Sequence, residues 1–85
     1  MNAKELFACI LSSENMQAVI NCEGLPFIEI EEDECRQAYK SLSALNRCML
    51  RRRVARYADA LASRRKEHGV DERLRMLDQI KKVIL

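Results

Sequence analysis

Apolar residues recur at helical intervals along most of this chain. Ala3, Leu6, Phe7, Ile10 and Leu11 fall on one face of a first helix, and Asn2 stands where a side-chain cap is needed. Ser12 and Ser13 interrupt the pattern. Ser13 followed by Glu14 reads as the cap of a second helix over residues 14–22, burying Met16, Val19 and Ile20. One bent helix over residues 3–22 is the competing reading, and two helices are favoured. Gly24, with Pro26 two residues on, ends this region. The stretch "PFIEIEE" then alternates apolar and acidic residues as a short strand would. It has no partner strand in the sequence, and a lone strand leaves its backbone groups unpaired. It is therefore expected to be an extended linker pinned by its apolar side chains, with pairing between two chains as the alternative.

The pattern next predicts one long central helix over residues 33–68. At about 100° per residue, Cys35, Ala38, Leu42, Leu45 and Met49 occupy an arc of roughly 80°. A second set, Leu50, Val54, Tyr57 and Leu61, centres about 110° further round. The buried face therefore changes near the middle. A straight helix covered by different neighbours along its two halves is preferred over a break near Asn46, because neither Gly nor Pro marks one. Gly69 is expected to close this helix, with Lys66 and His68 in its last turn. A final helix from about Asp71 carries Val70, Leu74, Leu77, Ile80 or Lys81, and Ile84 on one seam, antiparallel to the 50–61 face. The expected fold is an all-α single domain spanning residues 1–85. It has three to four helices, one of them long and central, and an antiparallel C-terminal helix.

Composition narrows this picture. With 85 residues, two glycines, one proline and no tryptophan, the core must be aliphatic and the helices long. No apolar run approaches the roughly 18 residues of a membrane span, and the apolar stretch at residues 6–11 lacks the basic lead of a signal peptide. A cytoplasmic protein is expected. Cys9, Cys22, Cys35 and Cys48 follow one another at intervals of 13 residues, with no close pair of the kind zinc sites use. They read as small buried hydrophobes. The acidic run Glu31, Glu32, Asp33 and Glu34 suits the positive end of a helix.

"RQAYKSLS", Arg36 to Ser43, resembles the second helix of J-domain co-chaperones. That family then needs a His-Pro-Asp turn, and Asn46, Arg47 and Cys48 stand there in this chain. The resemblance covers about eight residues without the motif that carries the family's activity, so it implies no co-chaperone function.

Catalytic signals are missing from the pattern. There is one histidine, no glycine-rich phosphate loop and no nucleophile–base pairing at a suggestive spacing. The expectation is a non-enzymatic protein with no cofactor and no metal. Charge is the positive clue. Residues 1–37 hold two bases against eight acids, and residues 38–85 hold thirteen bases against five acids. The apolar line of the first set continues into Arg52, Arg53 and Arg56, with Arg64 at its edge. Arginine forks suit carboxylate or phosphate partners. These four residues are the expected partner-binding site, on a small regulator, inhibitor or adaptor that meets an acidic protein surface. The alternative is DNA or RNA backbone binding by the same arginines. A third reading is a homodimer joined through Val83, Ile84 and Leu85, because three adjacent apolar residues cannot all face inward on one helix. The size also fits the small inhibitors of phages and mobile elements.

Overall fold

The computed structural model describes residues 1–12 and 25–85. The helix expected over residues 14–22, with Ser13, Met16, Val19 and Ile20, lies outside the described residues, as do Cys22 and the stop at Gly24. Among the described residues the protein is all-α, with four helices: α1 (Ala3–Ser12), α2 (Glu32–Lys40), α3 (Ala44–Ala62) and α4 (Val70–Ile84). α1 and α4 each pack on both α2 and α3. One buried cluster draws on all four helices and on Leu25 of the connecting segment.

α1 forms as its periodicity predicts. Ala3, Leu6, Phe7 and Ile10 are buried, and the Glu5 amide donates to the Asn2 side-chain oxygen at 2.9 Å. The outer turns are held from a distance. The Ala3 N–H donates to Glu34 Oε1 at 2.9 Å, so one carboxylate of the acidic run serves the N-terminus of a different helix. Glu32 and Asp33 instead take the two arms of Arg36, at 2.8 and 3.1 Å.

Residues 33–68 do not form one helix. The chain leaves helical geometry at Ser41–Ser43 and again after Ala62. At the first break the Ser41 hydroxyl donates to the Ala38 carbonyl at 2.7 Å. Ser43 turns extended (φ −64°, ψ 162°), and its hydroxyl accepts the Asn46 N–H at 3.1 Å. Two serine side chains thus supply the backbone with partners that compete with helix continuation, and no Gly or Pro is needed. The break corrects the first apolar stripe. Cys35 and Ala38 are buried in α2, Leu42 and Met49 are half-buried, and Leu45 is 70% exposed. The second stripe stands as expected: Leu50, Val54, Tyr57 and Leu61 are all buried, joined by Ala58.

The second break moves Lys66 and His68 out of any helix. Residues 63–69 are successive turns, with N–H to C=O bonds from Arg64 to Leu61, Glu67 to Arg64 and Val70 to Glu67. Gly69 does not close α3. It stands at the N-cap of α4 with φ +78°, a left-handed conformation that favours glycine. A Cβ there would lie 2.6 Å from Arg73 Nη1, because that guanidinium folds back to donate to the Gly69 carbonyl at 2.9 Å.

α4 buries Val70, Leu74, Leu77, Ile80 and Ile84 as the seam predicts, and also Met76. Met76 is buried from the other side, beneath residues 25–31, where its sulfur receives the Ile28 N–H at 3.5 Å. That segment is the expected linker. Leu25 is buried, and Ile28 and Ile30 pack on the core, while Phe27 is 44% exposed. Arg73 Nε donates to the Leu25 carbonyl at 2.9 Å, tying the segment to the start of α4.

Candidate partner-binding surface

The arginines that share a line in the sequence have separate fates. Arg53 reaches α1 and donates from Nη1 to the carbonyls of Ile10 and Leu11, at 2.7 and 2.8 Å. These carbonyls lie in the last described turn of α1, and a cation suits the negative end of a helix. Arg53 therefore acts as a clamp between α3 and α1. Arg64 is half-buried and bound through two nitrogens to Glu67, at 2.6 and 2.8 Å. The hydrogen bonds from Arg64 hold the Glu67 carboxyl below its ordinary range. Arg64 too is engaged within the chain, and it sits in the connecting turns, off the helix that carries the others. Arg51 donates to the Tyr39 hydroxyl, so α3 is stapled to α2 as well.

Arg52 differs. It is exposed, and among the described residues it makes no hydrogen bond or ion pair. Arg56, one turn on, is exposed and also engaged within the chain. Leu45 precedes Arg52 by two turns, and Cys48 and Met49 lie between them, half-buried. These positions are spaced by three or four residues, so they form one stripe on the side of α3 away from Leu50, Val54 and Leu61. The stripe joins an exposed leucine, a polarizable methionine and a solvated guanidinium. The sequence reading missed Leu45 and Met49 because it assigned both to the core of a continuous helix. The signal available was Ser43, a residue type that caps helix starts, standing just before the run Ala44–Leu45; a new start there resets which residues face inward.

The three residues of the expected dimer contact are placed differently from one another. Ile84 is 7% exposed and belongs to the core, Val83 packs against that core, and only Leu85 is exposed, at 70%. The cysteines divide in the same way. Cys35 is fully buried, and loss of hydration raises its thiol pKa to about 11. Cys48 is half-buried and Cys9 is exposed, against the expectation of a buried hydrophobe. All three are free thiols. Among the described residues no cluster of His, Cys, Asp and Glu could hold a metal ion, and no helix is long and apolar enough to cross a membrane.

The chain matches no protein-family model, no curated protein and no solved structure.

Proposed function

We propose that the protein is a small non-enzymatic regulator, an inhibitor or adaptor, that docks the outward stripe of α3 on an acidic surface of a protein partner. The observation that carries this reading is Arg52, solvated and without a partner among the described residues, on the same helix face as Leu45 at 70% exposure. An exposed leucine gains from burial, at about 25 cal/mol per Å² of apolar surface. An arginine beside it gives the contact its sign and geometry. Arg56 supports the same face at its edge. Arg53 and Arg64 are set aside because folding already employs them.

Direct binding to a nucleic-acid backbone is the weaker reading. A phosphate-tracking surface needs several free bases together, and three of the four expected arginines, Arg53, Arg56 and Arg64, are engaged within the chain. The two readings separate on one pair of measurements. Affinity capture from the native host, with the bound protein identified by mass and then purified, should give a complex that Arg52→Glu or Leu45→Asp weakens at least tenfold. The circular dichroism of each variant should remain that of the parent. Unchanged binding by both variants would remove the stripe from the site. A mobility shift with duplex or single strand, falling with salt at a log–log slope of about −4 to −5, would instead establish the nucleic-acid reading.

A further inference from the structure

Residues 25–31 form a second surface, independent of the arginine stripe. Leu25 is buried, and exposure alternates over residues 27–31: Phe27, Glu29 and Glu31 face solvent, while Ile28 and Ile30 pack on the core. A period of two is the signature of extended backbone, and Glu31, at φ −86° and ψ 136°, has that geometry. The Leu25 carbonyl accepts from Arg73 Nε. Ile28 gives its N–H to the Met76 sulfur, and the Glu31 carbonyl accepts from Cys35. Among the described residues, nothing pairs with the N–H or C=O of Phe27 or of Glu29. In an extended chain these four groups project to the same flank, where a strand edge would begin.

We infer that this segment receives a basic, extended peptide of a partner protein as an added strand. The main chain of Phe27 and Glu29 would supply the ladder, and the outward row Phe27, Glu29 and Glu31 would read alternate side chains. Charge selects the occupant. A second copy paired antiparallel about Glu29 would set that glutamate against its own copy, and like charges opposite one another disfavour pairing. A strand with lysine or arginine at alternate positions reverses that sign. Beside the segment lies a groove of about 380 Å³ whose lining includes Glu29, Glu72 and Gln79. Arg75 also lines it, but it is held by Asp71 at 3.0 Å. The net character of the groove is acidic, and a long basic side chain can enter it.

The test uses the whole protein and a synthetic peptide of alternating lysine and valine, about seven residues long, a typical strand length. Residue-resolved amide exchange should slow at least tenfold at Phe27 and Glu29 when the peptide is saturating. Glu29→Lys with Glu31→Lys should weaken binding at least tenfold, and Arg52→Glu should leave it unchanged, which separates this surface from the stripe on α3. A peptide of alternating glutamate and valine should not bind. The inference is overturned if protection does not appear at these amides, or if the acidic peptide gives it equally. It is also overturned if protection grows with protein concentration alone, which would make a second copy the occupant.

Discussion

Arg52 and Arg53 are adjacent in sequence and lie on two different surfaces of α3. The side that carries Arg53 meets the end of α1, where its guanidinium caps two carbonyls. The side that carries Arg52 meets water, beside Leu45. One step along a helix rotates a side chain by about 100°, enough to exchange a structural role for a free one. The contrast teaches that a run such as Arg51, Arg52 and Arg53 is not a unit of charge. Arg51 binds Tyr39, Arg53 binds α1, and Arg52 has no partner among the described residues.

The largest effect should separate the two faces by stability. Leu50 is fully buried and Leu45 is 70% exposed, on the same helix. Leu50→Ala should cost about 2–5 kcal/mol in urea or guanidinium unfolding. Leu45→Ala should stay within about 0.5 kcal/mol. Equal losses would place Leu45 in the core and abolish the outward stripe.

The thiols extend the comparison to pH. Cys35 ionises near pH 11 in the folded state and near 9 when unfolded. Its protonated form is thus favoured by folding. The associated stability is complete below pH 9 and is lost as pH rises from 9 to 11, by at most about 3 kcal/mol. Unfolding midpoints of the parent should fall across this window more steeply than those of Cys35→Ala. Site-resolved labelling at neutral pH should find Cys9 modified rapidly and Cys35 protected.

A smaller difference separates the two arginines. Arg53→Met should destabilise by about 1–3 kcal/mol, because half-buried carbonyls of Ile10 and Leu11 lose their donor. Arg52→Met should change stability by less than about 0.5 kcal/mol while weakening partner capture. If both variants unfold equally, Arg52 has a structural role and the proposed site fails. Smallest is the far end of α1. Glu34→Ala removes the acceptor for the Ala3 N–H and should cost about 0.3–1 kcal/mol. Amide exchange should rise there before anywhere in α3, which would rank the two anchors of α1 with Arg53 above Glu34.

The seams of α1, of residues 50–61 and of α4 could be read directly from residue order, because helical periodicity is a local property. A residue's neighbours three and four positions away decide which face it joins. The Asn2 cap and the pinned segment at Ile28 and Ile30 were legible for the same reason. Tertiary structure decided the rest. An N-cap such as Ser43 contributes only about 1 kcal/mol, so packing of α1 and α4 on α2 and α3 weighs in whether the helix breaks there. That choice turned Leu45 outward. The arginine roles were hidden for a further reason. A guanidinium at the end of a long side chain takes whichever acceptor the fold brings near, and Arg53 finds its acceptors more than forty residues away in sequence, on α1. Local spacing encodes which way a helix faces; only the assembled helices determine which charges are satisfied within the fold.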